Sequence, residues 1–160
     1  MVIEEIRGNT MEIMAEIDPG NANVIEMKIL RSPNNEEYTR ISFFRNRGYR
    51  DLEMYARGGL KETNLSDYGM ISLDNPPSSL HPDVLARPPE TAPVSLIPGE
   101  TLKLRIFIDK SIVEVFVNNK QCVAERVYPA LDNSLGVTIS SIGQNSELIS
   151  LDVWQMKSIW

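Results

Sequence analysis

Hydrolysis of a glycosidic bond needs only two carboxyl groups flanking that bond, one of them kept protonated by its surroundings. With 22 acids in 160 residues the raw material is plentiful, so position must discriminate among them. Glu114 stands out because it interrupts an apolar run, Ile112-Val113-Glu114-Val115-Phe116-Val117. Asp109 sits at the preceding turn, where an aspartate side chain accepts hydrogen bonds from neighbouring backbone N–H groups. Other chemistries lack their residues. The single histidine, His81, precedes Pro82 in a proline-rich stretch with no serine or cysteine elbow near it, which disfavours a catalytic triad. One histidine and one cysteine, Cys122, cannot furnish the three or four ligands typical of zinc. Asp/Asn turns such as Asp132-Asn133 leave calcium open, but without EF-hand spacing. Neither a phosphate-binding loop nor a GxGxxG fingerprint occurs. No metal and no cofactor is expected.

Composition narrows the partners. Net charge is −6 and no Lys/Arg block exists, so the clustered positive charge that nucleic acid requires is missing. The nearest approach, Arg45, Arg47 and Arg50, is interrupted by Gly48 and Tyr49 and reads as a solvated loop. No apolar run approaches the roughly 20 residues of a membrane span. The N-terminal stretch MVIEEIRGNTMEIMAEIDPG places acids where a secretory signal needs positive charge and an apolar core. Cys122, alone, cannot close an internal disulfide and reads as a small packed or edge residue. The sequon Asn64-Leu65-Ser66 matters only for a chain exported through a glycosylating pathway.

The elements that would position these residues repeat with a period of two. Met11, Ile13, Ala15 and Ile17 alternate with polar residues, a turn follows at Asp18-Pro19-Gly20, and Ile25, Met27 and Ile29 alternate in turn. SPNNEE reads as a turn cluster before a strand bearing Ile41 and Phe43. From Gly48 to Gly99 most of the prolines accumulate, and prolines cannot donate to a sheet ladder. One short strand, GMISL, is expected there within a long connection of the kind that often carries a partner surface. Beyond it the β pattern is strongest: Leu102, Leu104, Ile106 and Ile108 point inward, and Val113, Val115 and Val117 lie opposite Ile112, Glu114 and Phe116. Short strands every 8–12 residues with turns between them predict an all-β, antiparallel two-sheet sandwich of jelly-roll or concanavalin-like form. Trp154 and Trp160 are candidates for stacking on a sugar ring.

The stretch LKLRIFIDKSIVEVFVNNKQCVAERVYP, then GVTISS and LDVWQMKSI, resembles the C-terminal β-sandwich module of glycoside hydrolase family 32, the invertases, levanases, inulinases and related fructosidases. Its specific parts are D-K-S-I-V-E-V-F at Asp109 to Phe116, R-V-Y-P at Arg126 to Pro129, and W-Q-M-K at Trp154 to Lys157. The resemblance implies that chemistry belongs to an N-terminal five-bladed β-propeller, with motifs N-D-P-N, R-D-P and E-C. None is present: LDNPPS has another order, IDPG lacks the arginine, and Cys122 follows Gln121. Residues 1–160 are therefore expected to be one domain, the C-terminal module of a larger β-fructosidase, without catalytic residues of its own. Its partner would be the propeller, with Glu114 and Arg126 at the interdomain interface. A homodimer is a further possibility. The rival readings are an autonomous module that binds fructan or an oligosaccharide through Trp154, and a small hydrolase using two of the acids about 5–9 Å apart in a cleft.

Overall fold

In the computed structural model, which describes residues 1–46 and 69–157, two antiparallel sheets face each other. Their strands in chain order are β1 (Val2–Arg7), β2 (Thr10–Asp18), β3 (Val24–Arg31), β4 (Thr39–Phe44), β5 (Gly69–Asp74), β6 (Glu90–Val94), β7 (Leu102–Asp109), β8 (Ile112–Val117), β9 (Gln121–Arg126), β10 (Gly136–Ile142) and β11 (Glu147–Gln155). One sheet is ordered β1-β10-β3-β4-β5-β6 and the other β11-β2-β7-β8-β9, which is the β-sandwich expected from the alternation.

Successive side chains of a strand point to opposite faces, so every second residue shares a destination. In β2, Met11, Ile13, Ala15 and Ile17 are buried while Glu12, Met14 and Glu16 face outward. Ladder register carries this across the sheet: Ile13 pairs with Ile106, and Ile106 with Val115. A slip of one residue would turn all of them to water, so burial fixes register. From the facing sheet Ile25, Met27, Ile29, Ile41, Phe43, Ile71 and Leu73 complete a single core.

Turn chemistry agrees with the ladders. Between β8 and β9 the Lys120 N–H donates to the Val117 carbonyl at 2.9 Å. The two central residues, Asn118 and Asn119, adopt φ of 50° and 53°, where asparagine costs less than most side chains. At the start of β5 only glycine fits. A Cβ on Gly69 would lie 2.8 Å from the Phe44 carbonyl oxygen and 2.9 Å from the Phe43 ring.

Three features depart from the sequence reading. The long connection contains a second strand, β6, beside the expected β5; it holds Pro93, which is tolerated because, among the described residues, β6 is an outermost strand paired only with β5. The N-terminal VIEEIR forms β1 against β10. Ile149, which alternation along the strand places with Leu151 and Val153 on the face opposite Trp154, falls where the β11–β2 register shifts and is exposed. The sequon Asn64-Leu65-Ser66, Arg47, Arg50 and Trp160 lie outside the described residues.

Candidate functional site

The D-K-S-I-V-E-V-F segment runs from the end of β7 into β8, and R-V-Y-P starts at the last residue of β9; the outward sides of β7 to β9 continue into β2 and β11 as one face. Pairing determines which residues stand side by side. One row across the sheet reads Trp154, Glu12, Phe107, Glu114, Ala124. The next reads Asp152, Met14, Arg105, Phe116, Cys122. At the turn end Ile112 pairs with Arg126. The structure thus brings Trp154, Glu114 and Arg126 onto a single face. Trp154 and Glu114 are three strands apart, about 14 Å at the usual interstrand spacing. Glu114 and Arg126 are diagonal neighbours on adjacent strands.

The chemistry of this face is mixed. Trp154 is 49% exposed, Ile112 45% and Met14 43%. Phe107 and Phe116 are half-buried and meet edge to face, with 5.9 Å between ring centres and 89° between planes. The Arg105 guanidinium lies 4.8 Å from the Phe107 ring centre while its Nε donates to Glu12 at 2.6 Å. Glu114 and Arg126 make no side-chain hydrogen bond or ion pair among the described residues. A sugar stacks on the open face of an aromatic ring. Here the phenyl pair presents an edge and Arg105 covers one face of Phe107, which leaves Trp154 as the open ring of these two rows. Cys122 is exposed beside Phe116. Burial, then the neighbouring Glu114 charge, pushes its thiol up, so it is a weak nucleophile at neutral pH.

Cleft chemistry fares less well. Five hollows that open among the described residues are not lined by Glu114, Asp109, Arg126 or Trp154. One hollow of about 320 Å³ does gather Ser134, His81 and Asp132, with Lys110 and Tyr128 beside them. Of its two serines, Ser111 and Ser134, the second is committed elsewhere, because the Ser134 hydroxyl donates to Glu37 at 2.6 Å.

Glu37 is the residue that sequence reading missed. It lies in the SPNNEE stretch, read as a turn cluster, and it is fully buried. Its Oε2 accepts from the Leu80 and Ala130 N–H groups at 3.1 and 2.9 Å, and its Oε1 from the Leu131 N–H at 2.8 Å and the Ser134 hydroxyl. Burial pushes the carboxyl up, but the Ser134 hydroxyl and the three amides together outweigh it and hold Glu37 below the ordinary carboxylate range. The group ties the connection ahead of β6, and the segment just after Pro129, to the entry of β4. It is a positioning residue. No local sequence signal marks it, because its donors come from segments about 40 and 90 residues away.

The family described as glycosyl hydrolases family 32 C terminal matches residues 3–155. Over 136 residues the chain is 29% identical to a beta-fructofuranosidase, insoluble isoenzyme, of Arabidopsis thaliana, covering 82% of this chain and 22% of that protein. Over 72 residues it is 36% identical to the levanase of Bacillus subtilis (strain 168), covering 44% of this chain and 10% of that protein. Fructan 1-exohydrolase IIa from Cichorium intybus shares the fold with a TM-score of 0.75 at 18% identity, over 98% of this chain and 33% of that one. The chain therefore spans between a tenth and about a fifth of the length of these curated relatives.

Proposed function

Because this chain belongs to the C-terminal domain family of the family 32 glycosyl hydrolases, we propose that it is the non-catalytic sandwich module of a β-fructosidase, docked on that enzyme's catalytic five-bladed propeller. The observation that carries this reading is the gathering of Glu114 and Arg126 on one solvent-facing side of the five-stranded sheet, unpaired among the described residues. Exposed Met14 and Ile112 and the Phe107–Phe116 pair supply apolar area on the same side. Such area excludes water from an interface, and uncommitted charges within it fix orientation. The parent's reaction would be hydrolysis of β-fructosidic bonds in sucrose or fructan, the chemistry named in its relatives. In this assignment residues 1–160 form one domain. The propeller supplies the reacting carboxylates and this domain stabilises it.

The rival reading, a free-standing fructan-binding module, depends on Trp154. Calorimetric titration of this chain with levan- and inulin-type oligosaccharides separates the two. Docking predicts no heat beyond dilution; saturable heat that disappears in Trp154→Ala would transfer the face to sugar binding.

A further inference from the structure

The inner positions of β9 and its extension read Val123, Glu125, Val127, so a carboxylate stands where the alternation asks for an apolar residue. Glu125 is 8% exposed, and neither of its oxygens meets a donor among the described residues. β9 is the outermost strand of its sheet and packs against β5 and β6 of the other. β6 is itself outermost, with β5 as its one ladder partner. The seam between β9 and β6 is therefore closed by side-chain packing, without a backbone ladder across it.

The charged groups around this seam are Glu90 from the start of β6, Asp74 from the end of β5 and Arg87 from the connection ahead of β6. Asp74 is already engaged by Arg40 of β4. Arg126, next along β9, points to the opposite face, and Arg87 is exposed. Asn75 Oδ1 and Ser78 Oγ, on the segment that follows β5, are also buried without partners among the described residues. Asn75 reaches β9, giving its amide N–H to the Arg126 carbonyl at 3.3 Å. An ionised carboxylate here has lost its water and gained no donor. A neutral carboxyl avoids that cost and brings an O–H donor to a place rich in acceptors.

We propose that the β6–β9 seam is a proton-operated latch, closed over a neutral Glu125 and loosened as that proton is given up. Burial, then the Glu90 and Asp74 charges, pushes the Glu125 carboxyl up to about 7, with Arg87 pulling the other way. Once the seam opens, the carboxyl returns toward its ordinary 4.5. Between these values the closed seam keeps a proton that the open seam releases. Opening is thus favoured by up to about tenfold per pH unit across that interval and levels off above it. The latch rests on the seam alone and stands or falls independently of propeller docking.

Hydrogen exchange of this chain from pH 5 to pH 8, corrected for intrinsic exchange, reads it directly. The β6 amides should exchange ahead of those of β2, which has a ladder on each side. Their protection should fall by up to about tenfold per unit until near pH 7 and then hold level. Glu125→Gln should abolish the pH dependence. Glu90→Gln retains the Glu125 carboxyl but removes a like charge, so its curve should level off at lower pH. Protection of β6 that is independent of pH in the unaltered chain would overturn the latch, as would a decline that survives in Glu125→Gln. A single exchange rate shared by β6 and β2, or a Glu90→Gln curve identical to that of the parent chain, would do the same.

Discussion

Glu37 and Glu125 are both buried carboxyls, and their neighbours send them in opposite directions. Glu37 has four donors, so its charge is held; Glu125 has none among the described residues and faces like charge, so its proton is held. The signs of their pH effects differ accordingly. Glu37, depressed in the folded chain, adds stability above the ordinary carboxylate range that is lost as pH falls through its folded value. Glu125, raised in the folded chain, subtracts stability progressively as pH climbs from 4.5 to about 7. Replacing Glu37 by glutamine keeps the shape but faces an amide NH2 toward backbone N–H groups. Urea denaturation at pH 7 should show a loss of about 2–4 kcal/mol, and the gap to the parent chain should narrow toward acid pH. An unchanged midpoint would mean that the donors find water instead. Glu125 was open to discovery in the sequence, since an acid at an inward place of an alternating strand is a visible violation. Glu37 was not, because its burial depends on loops that arrive from far along the chain.

At the scale of elements, the clearest alternation belongs to strands flanked by ladders on both sides. β2, β3, β7 and β8 bury one full face, so their apolar alternation is complete. β1 and β6 are outermost strands whose identity is settled by what they pair with. ETAPV carries too few apolar residues and a proline, and VIEEIR puts two acids together. The turn between β8 and β9 is specified locally but does more than reverse the chain. The Asn118 side chain accepts from the Lys103 N–H at 2.8 Å and donates to the Thr101 carbonyl at 2.8 Å and to Glu100 at 3.0 Å. It therefore fastens the turn to the entry of β7. Lys120 and Asn118, with the Ile97 N–H, hold the Glu100 carboxyl down at about 2. Asn118→Ala loses these bonds and places a β-carbon residue less suited to φ 50° at the turn. A cost of about 2 kcal/mol in chemical denaturation is expected; a value near zero would show that the turn is held by its backbone alone.

At the scale of the whole molecule, the sandwich packs its apolar inner faces together, with Glu125 the unpartnered exception, and among the described residues it leaves the outer side of the five-stranded sheet exposed. The alternation around Glu114 showed that it shares a side with Ile112 and Phe116. That Trp154 lies on the same side was not legible, because it depends on β11 joining β2 at the far edge, and strand order is not written in local periodicity. The docking proposed from the family resemblance would give a role to this acid and arginine, which stand unpaired among the described residues and which periodicity alone leaves without one. The most direct test is sedimentation velocity of this chain mixed with the catalytic portion of its parent, produced as a separate polypeptide. Docking predicts a one-to-one complex that the combined Glu114→Ala and Arg126→Ala substitutions weaken by at least about tenfold. Two species that sediment independently at every concentration, or a complex equally tight after both substitutions, would contradict it.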